Sequence, residues 1–124
     1  MLSSASIMAF VATKNSDKAK AFYQDTLKLK LTTDDPFALV FDANGIMLRL
    51  SKVKELTPAP FTVLGWKVAN IAAEMRELKG RGVAFEFFKG FQHDDPGVWT
   101  SPSGAKVAWF KDPDGNLLSL TEFP

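Results

Sequence analysis

Apolar residues recur along the chain in two rhythms. One has a period of about 3.6, which marks a helix face, and the other a period of about 2, which marks a strand face. Ile7–Val11 is a short β-type run, and Lys14-Asn15-Ser16-Asp17 is a polar turn in which Asn15, Ser16 or Asp17 can supply a helix-capping oxygen. From Lys18 to Leu27 the residues Ala19, Phe22, Tyr23 and Leu27 fall at helical spacing, predicting an amphipathic helix. Leu29–Thr33 reads as the strand leaving it. Phe37–Phe41 and Ile46–Leu50 read as strands joined by the turn Asp42-Ala43-Asn44-Gly45. Ser51–Pro60, with two prolines and several charges, reads as a linker.

The second half repeats the order. Thr62–Val68 is a predicted strand, and Ile71–Arg81 a helix with Ile71, Met75 and Leu78 on one face and Gly82 as its stop. Val83–Phe88 is a strand, Gly90–Gly104 a Gly- and Asp-rich loop, and Lys106–Phe110 with Leu117–Thr121 a closing hairpin. The segment ALVFDANGIMLRL (Ala38 to Leu50) lies without a gap over AWFKDPDGNLLSL (Ala108 to Leu120), matching Asp42 to Asp112 and Gly45 to Gly115. This predicts an α+β chain of two tandem β-α-β-β-β modules within a single domain, residues 1–124. The first module covers about 5–52, the linker about 53–61 and the second module about 62–124.

Composition narrows the function classes more than it selects one. A formal net charge of +1 gives no electrostatic case for nucleic acid or an anionic membrane. There is no cysteine, which excludes disulfides, a thiolate nucleophile and cysteine-based zinc sites. The start MLSSASIMAF lacks a basic region followed by a long apolar core, and no apolar run reaches the roughly 20 residues that span a bilayer. A cytoplasmic protein is therefore expected.

The duplicated module resembles the vicinal oxygen chelate superfamily, which holds glyoxalase I, extradiol dioxygenases and bleomycin-resistance proteins. ATKNSDKAKAFYQDTLKLKL (Ala12 to Leu31) is similar to that family's first helix and following strand, and DPDGNLLSL to its terminal hairpin. The resemblance implies a half-open cup of strands with helices on its outer face and a ligand inside. It also implies modules that pair across a two-fold axis, hence a homodimer. Enzymes of the family place His or Glu in the first strand of each module and Glu after the hairpin glycine. Those positions fall here on Met8, Arg49, Val63 and Ser119. None offers the imidazole or carboxylate that a divalent cation needs, so neither a metal site nor a cofactor is expected. The lone histidine, His93, can be a solvated loop residue, a residue folding over the cup mouth or a weak metal ligand. Asp112 and Asp114 read as turn residues whose side chains bond nearby backbone. By alternation Glu122 points to the outer face.

If Arg49 and Ser119 face the ligand, alternation puts Met8, Phe10, Met47, Val63, Leu117 and Thr121 with them, and Leu48, Leu50, Leu118 and Leu120 beneath the helices. A hairpin whose loop spans Asp112 to Asn116 puts Trp109 opposite Ser119, hence inward, and the repeat makes Leu39 its copy in the first module. Trp99 either closes over the pocket or anchors the long loop. Arg49 either pairs with an internal carboxylate, snorkels to the rim, or receives an anionic or carbonyl oxygen of the ligand. The sequence thus points to a metal-free protein binding a small organic molecule, anionic or aromatic. The alternative is a metal-dependent lyase or dioxygenase of the same superfamily, and whether the protein is an enzyme is left open.

Overall fold

A computed structural model of the protein describes residues 1–124, the whole chain, which divides into two compact units, Met1–Thr57 and Pro58–Pro124. No helix is long and apolar enough to cross a membrane.

The first unit opens, after a short helical turn at Leu2–Ser4, with β1 (Met8–Thr13) and α1 (Ser16–Ala21). Of the three possible caps it is Asn15 that accepts the Lys18 N–H, at 3.3 Å. The expected α-helix to Leu27 is cut short. Phe22–Thr26 widens into a π-helical turn, closed by the Leu27 N–H on the Phe22 carbonyl at 2.9 Å. Within it Tyr23 is fully buried against Phe41, with ring centroids 5.8 Å apart. Strands β2 (Lys30–Asp34), β3 (Ala38–Ala43) and β4 (Ile46–Lys52) complete a sheet of order β1-β4-β3-β2, in which only β1 and β4 run parallel. Leu48 and Leu50, both 0% exposed, join Val11, Phe41 and Ala19 in its core.

The second unit contains β5 (Leu64–Lys67), α2 (Ile71–Gly80), β6 (Phe85–Glu86), β7 (Trp99–Thr100), β8 (Lys106–Lys111) and β9 (Leu117–Glu122). The sheet order is β5-β9-β8-β6, with β7 on the same edge of β8 as β6 but further along it. Only two residues of the expected Val83–Phe88 strand pair, and the expected loop contains β7. Asn70 caps α2 by accepting the Ala73 N–H at 3.0 Å. Glu122 Oε1 accepts the Ile71 N–H at 2.9 Å, a carboxylate at the positive end of the helix. At the other end Gly82, at φ +92°, donates to the Lys79 carbonyl while Val83 donates to that of Leu78, closing the helix in a Schellman turn. Trp66 stacks on Phe110 at 6.4 Å, and Ala108, Phe110 and Leu118 are fully buried.

The two matched hairpins are not built alike. In the first, Ala43 pairs with Ile46 across Asn44-Gly45, at φ 52° and 89°, so the loop is a tight positive-φ turn. In the second, Lys111 pairs with Leu117 across the loop Asp112–Asn116. The gap-free repeat therefore shifts by one residue in pairing. Trp109 opposes Ser119 as expected, but Arg49 opposes Val40, and Leu39 opposes Leu50 on the buried core face. The expectation that Leu39 copies Trp109 fails because a one-residue slip inverts every side chain of a strand.

Candidate functional site

In the first unit, the parallel pairs Met8–Met47 and Phe10–Arg49 set these side chains on the sheet face opposite the leucine core. Met8, Phe10 and Met47 are 44%, 59% and 43% exposed, an open apolar surface around a half-buried Arg49. The Arg49 guanidinium forms no ion pair and no side-chain hydrogen bond. The carboxylate that its charge reaches, Asp35, is committed elsewhere. Asp35 accepts the Phe37 and Ala38 amides at 2.8 and 2.9 Å. Those amides hold its carboxyl below the usual range, with the Arg49 charge a smaller contributor. Asp34 takes Lys52 at 2.7 Å and Lys20 at 3.3 Å, and their hydrogen bonds, Lys52 foremost, likewise lower its pKa.

In the second unit, the pairs Trp109–Ser119, Val107–Thr121 and Lys111–Leu117 place Trp109, Ser119, Thr121 and Leu117 on one face. Val63 precedes β5 and donates its N–H to the Leu117 carbonyl at 3.0 Å. Ser119 is buried, and its Oγ lies 3.0 Å from where a Cβ on Gly65 would sit, so the adjacent strand passes close because that residue is glycine.

Trp109 is the centre of an aromatic cluster. Ring centroids of Phe88, Phe91, His93 and Trp99 lie 5.3, 5.9, 5.9 and 6.0 Å from it. Trp99 is half-buried against Phe91 at 5.1 Å, anchoring the long loop to the sheet. His93 is part of this cluster, and the expectation of a solvated loop residue does not hold. Its Nδ1 lies 2.8 Å from the Gly97 carbonyl and its Nε2 accepts the Phe88 N–H at 3.1 Å. With both ring nitrogens engaged by backbone groups, neither is left for a ligand. Phe88 and Phe91 were not legible as site residues by strand alternation, since both lie outside the paired strands. The only sequence signal is the aromatic density of FEFFKGF.

A divalent metal does not fit these residues. Met8 and Arg49 in one unit, and Val63 and Ser119 in the other, supply a thioether, a cation, an alkyl group and one neutral hydroxyl. No three histidine, aspartate or glutamate side chains within either unit converge into a cation site. Asp112 is occupied by its own loop: its Oδ1 accepts the Asp114 and Asn116 amides and its Oδ2 the Asn116 side-chain amide, each at 2.9 Å.

Known proteins place the chain. Its fold is similar to a solved member of the glyoxalase/bleomycin resistance protein/dioxygenase superfamily from Sphaerobacter thermophilus DSM 20745. The TM-score is 0.76 at 23% identity, over 98% of this chain and 99% of that one. A glyoxalase family protein from Enterococcus faecalis aligns with TM-score 0.75 at 21% identity, over 98% and 100%. A lactoylglutathione lyase from Agrobacterium tumefaciens aligns with 0.72 at 18%, over 96% and 93%. These identities bear on the fold alone. No curated protein matches significantly in sequence. The sequence profile of the family does match, over residues 5–120, and the chain belongs to the Glyoxalase/Bleomycin resistance protein/Dioxygenase superfamily.

Proposed function

We propose that the protein binds a small organic molecule carrying an anionic or carbonyl oxygen, without a metal, and does so as a homodimer. The observation that carries this reading is Arg49, a half-buried cation with no ion pair and no side-chain hydrogen bond, feeling Asp35 only as a minor charge, on an open face of Met8, Phe10 and Met47. A guanidinium beside apolar side chains is costly until an oxygen pairs with it, and a mostly apolar surface with few polar groups is the common form of a small-molecule site. The second unit has a face of its own for a ligand's apolar body, on which Trp109, Ser119, Thr121 and Leu117 lie together, with Val63 and Trp99 on the neighbouring segments. His93 acts there by holding the aromatic loop rather than by touching the ligand. The absence of a carboxylate or imidazole at the four family positions is the reason to prefer binding over metal-dependent lyase or dioxygenase chemistry.

The reading is tested by thermal-shift screening of small carboxylates, sulfonates, phosphates and their neutral amides. A ligand at about a hundred times its Kd adds about 2.7 kcal/mol to folding stability. Stabilisation by acids but not by their amides is expected. No stabilisation by any member, with stoichiometric metal in the purified protein, would overturn it.

A further inference from the structure

The terminal hairpin has a use besides closing the sheet. Behind it lies a concavity of about 470 Å³, lined by Pro58, Ala59, Pro60, Phe88, Lys111 and Leu117. That volume is within the range that takes drug-sized ligands, about 300–1,000 Å³. Several of its wall residues are conformationally restricted. Pro58 and Pro60 have locked φ angles. Gly115, at φ +86°, leaves room for the Pro58 Cγ, which lies 3.3 Å from where a Cβ would stand. The loop carrying Gly115 is held by the three bonds to Asp112. Phe88 meets Trp109 edge to face at 5.3 Å, so the wall continues into the aromatic cluster.

One charged group faces this apolar space. Lys111 pairs with Glu86 only loosely, Nζ to Oε1 being 3.6 Å, and its side chain is 52% exposed. Such a pair is weak in water and readily exchanged for a better-placed anion. From the apolar walls, the size and the single cation, we infer that this pocket of the second unit binds a planar aromatic anion, its rings between the prolines and Phe88 and its acid group on Lys111. The site uses residues of the second unit alone, shares Leu117 with the second-unit face proposed above, and does not involve Arg49.

The probe is 8-anilinonaphthalene-1-sulfonate, an aromatic anion whose fluorescence rises in apolar sites. The folded protein should bind it saturably, with one site per chain that depends on Lys111. Lys111→Met should weaken binding about tenfold, the worth of one charge-assisted contact. Phe88→Ala should weaken it at least as much, whereas Glu86→Gln should strengthen it by releasing Lys111. The Lys111-dependent site should persist in Arg49→Met whether or not a second site on the Arg49 face is lost, which separates the two. Should Phe88→Ala unfold the protein, Ala59→Phe tests the same point by filling the space without removing a contact, and should abolish binding at the Lys111-dependent site. Non-saturable binding to the wild type, binding indifferent to both Lys111→Met and Ala59→Phe, or loss of the Lys111-dependent site in Arg49→Met would each overturn the inference.

Discussion

Two side chains of like character do different work because of what surrounds them. Asp34 and Asp35 are neighbours whose folded-state pKa values are both lowered, the first by Lys52 and then Lys20, the second by the Phe37 and Ala38 amides. A carboxylate depressed in the folded state binds its proton less readily there than in the unfolded chain. Its contribution to stability is therefore full above the ordinary carboxylate range, about pH 4, and is lost as pH falls through the lower folded value. Urea midpoints measured from pH 6 down to 2 should fall on the acid side of about pH 4, and Asp34→Asn should flatten part of that fall. A midpoint that rises on acidification would contradict these assignments. Arg49 is the opposite case, a cation with no such partner. Its type and face were legible from sequence, but its lack of an ion pair was not, because that depends on Asp35 spending its hydrogen bonds on the Phe37 and Ala38 amides.

At the level of elements, the two hairpins show what periodicity can and cannot tell. The leucines at 48, 50, 118 and 120 all lie on buried faces, as alternation requires. The shared turn length did not reveal that Asn44-Gly45 closes a two-residue turn while Asp112–Asn116 forms a longer loop, and Leu39 changed face as a result. Nor could helical spacing reveal the π-turn at Phe22–Thr26, since π and α turns carry the same apolar residues. The loops also differ in energetic weight. Asp112 is 5% exposed and accepts three donors, so Asp112→Ala should cost about 2–4 kcal/mol by urea unfolding, with orphaned amides as the main loss. Asp42 is exposed and accepts only the Gly45 N–H, at 2.7 Å, so Asp42→Ala should cost about 0.5–1 kcal/mol. Equal losses would mean that the buried network is not what holds the second loop. His93 makes a similar point for the aromatic loop. His93→Phe keeps a ring but removes both backbone bonds, and amide exchange at Phe88 should quicken by about tenfold.

For the molecule as a whole, membership of a family with many chemistries leaves function to be argued from the residues in place. On the proposed reading, the family's metal positions fall on Met8, Arg49, Val63 and Ser119. Protein purified without chelators should therefore carry no stoichiometric nickel, zinc, iron or manganese by elemental analysis. Light scattering at micromolar concentration should give twice the chain mass of 13.7 kDa, since a second copy would complete the paired modules and a closed two-fold assembly is the commonest oligomer. A monomer would count against that part of the account. The central claim is that Arg49 waits for a ligand rather than holding the fold. It is tested most directly by Arg49→Met, followed by melting curves with and without an acid taken from the screen. Without ligand, the variant should melt at the wild-type temperature or above, because no internal carboxylate loses its partner. With ligand, affinity should fall by about ten- to a hundredfold. A loss of several kcal/mol in the empty protein, with ligand affinity unchanged, would show a structural cation and contradict the account.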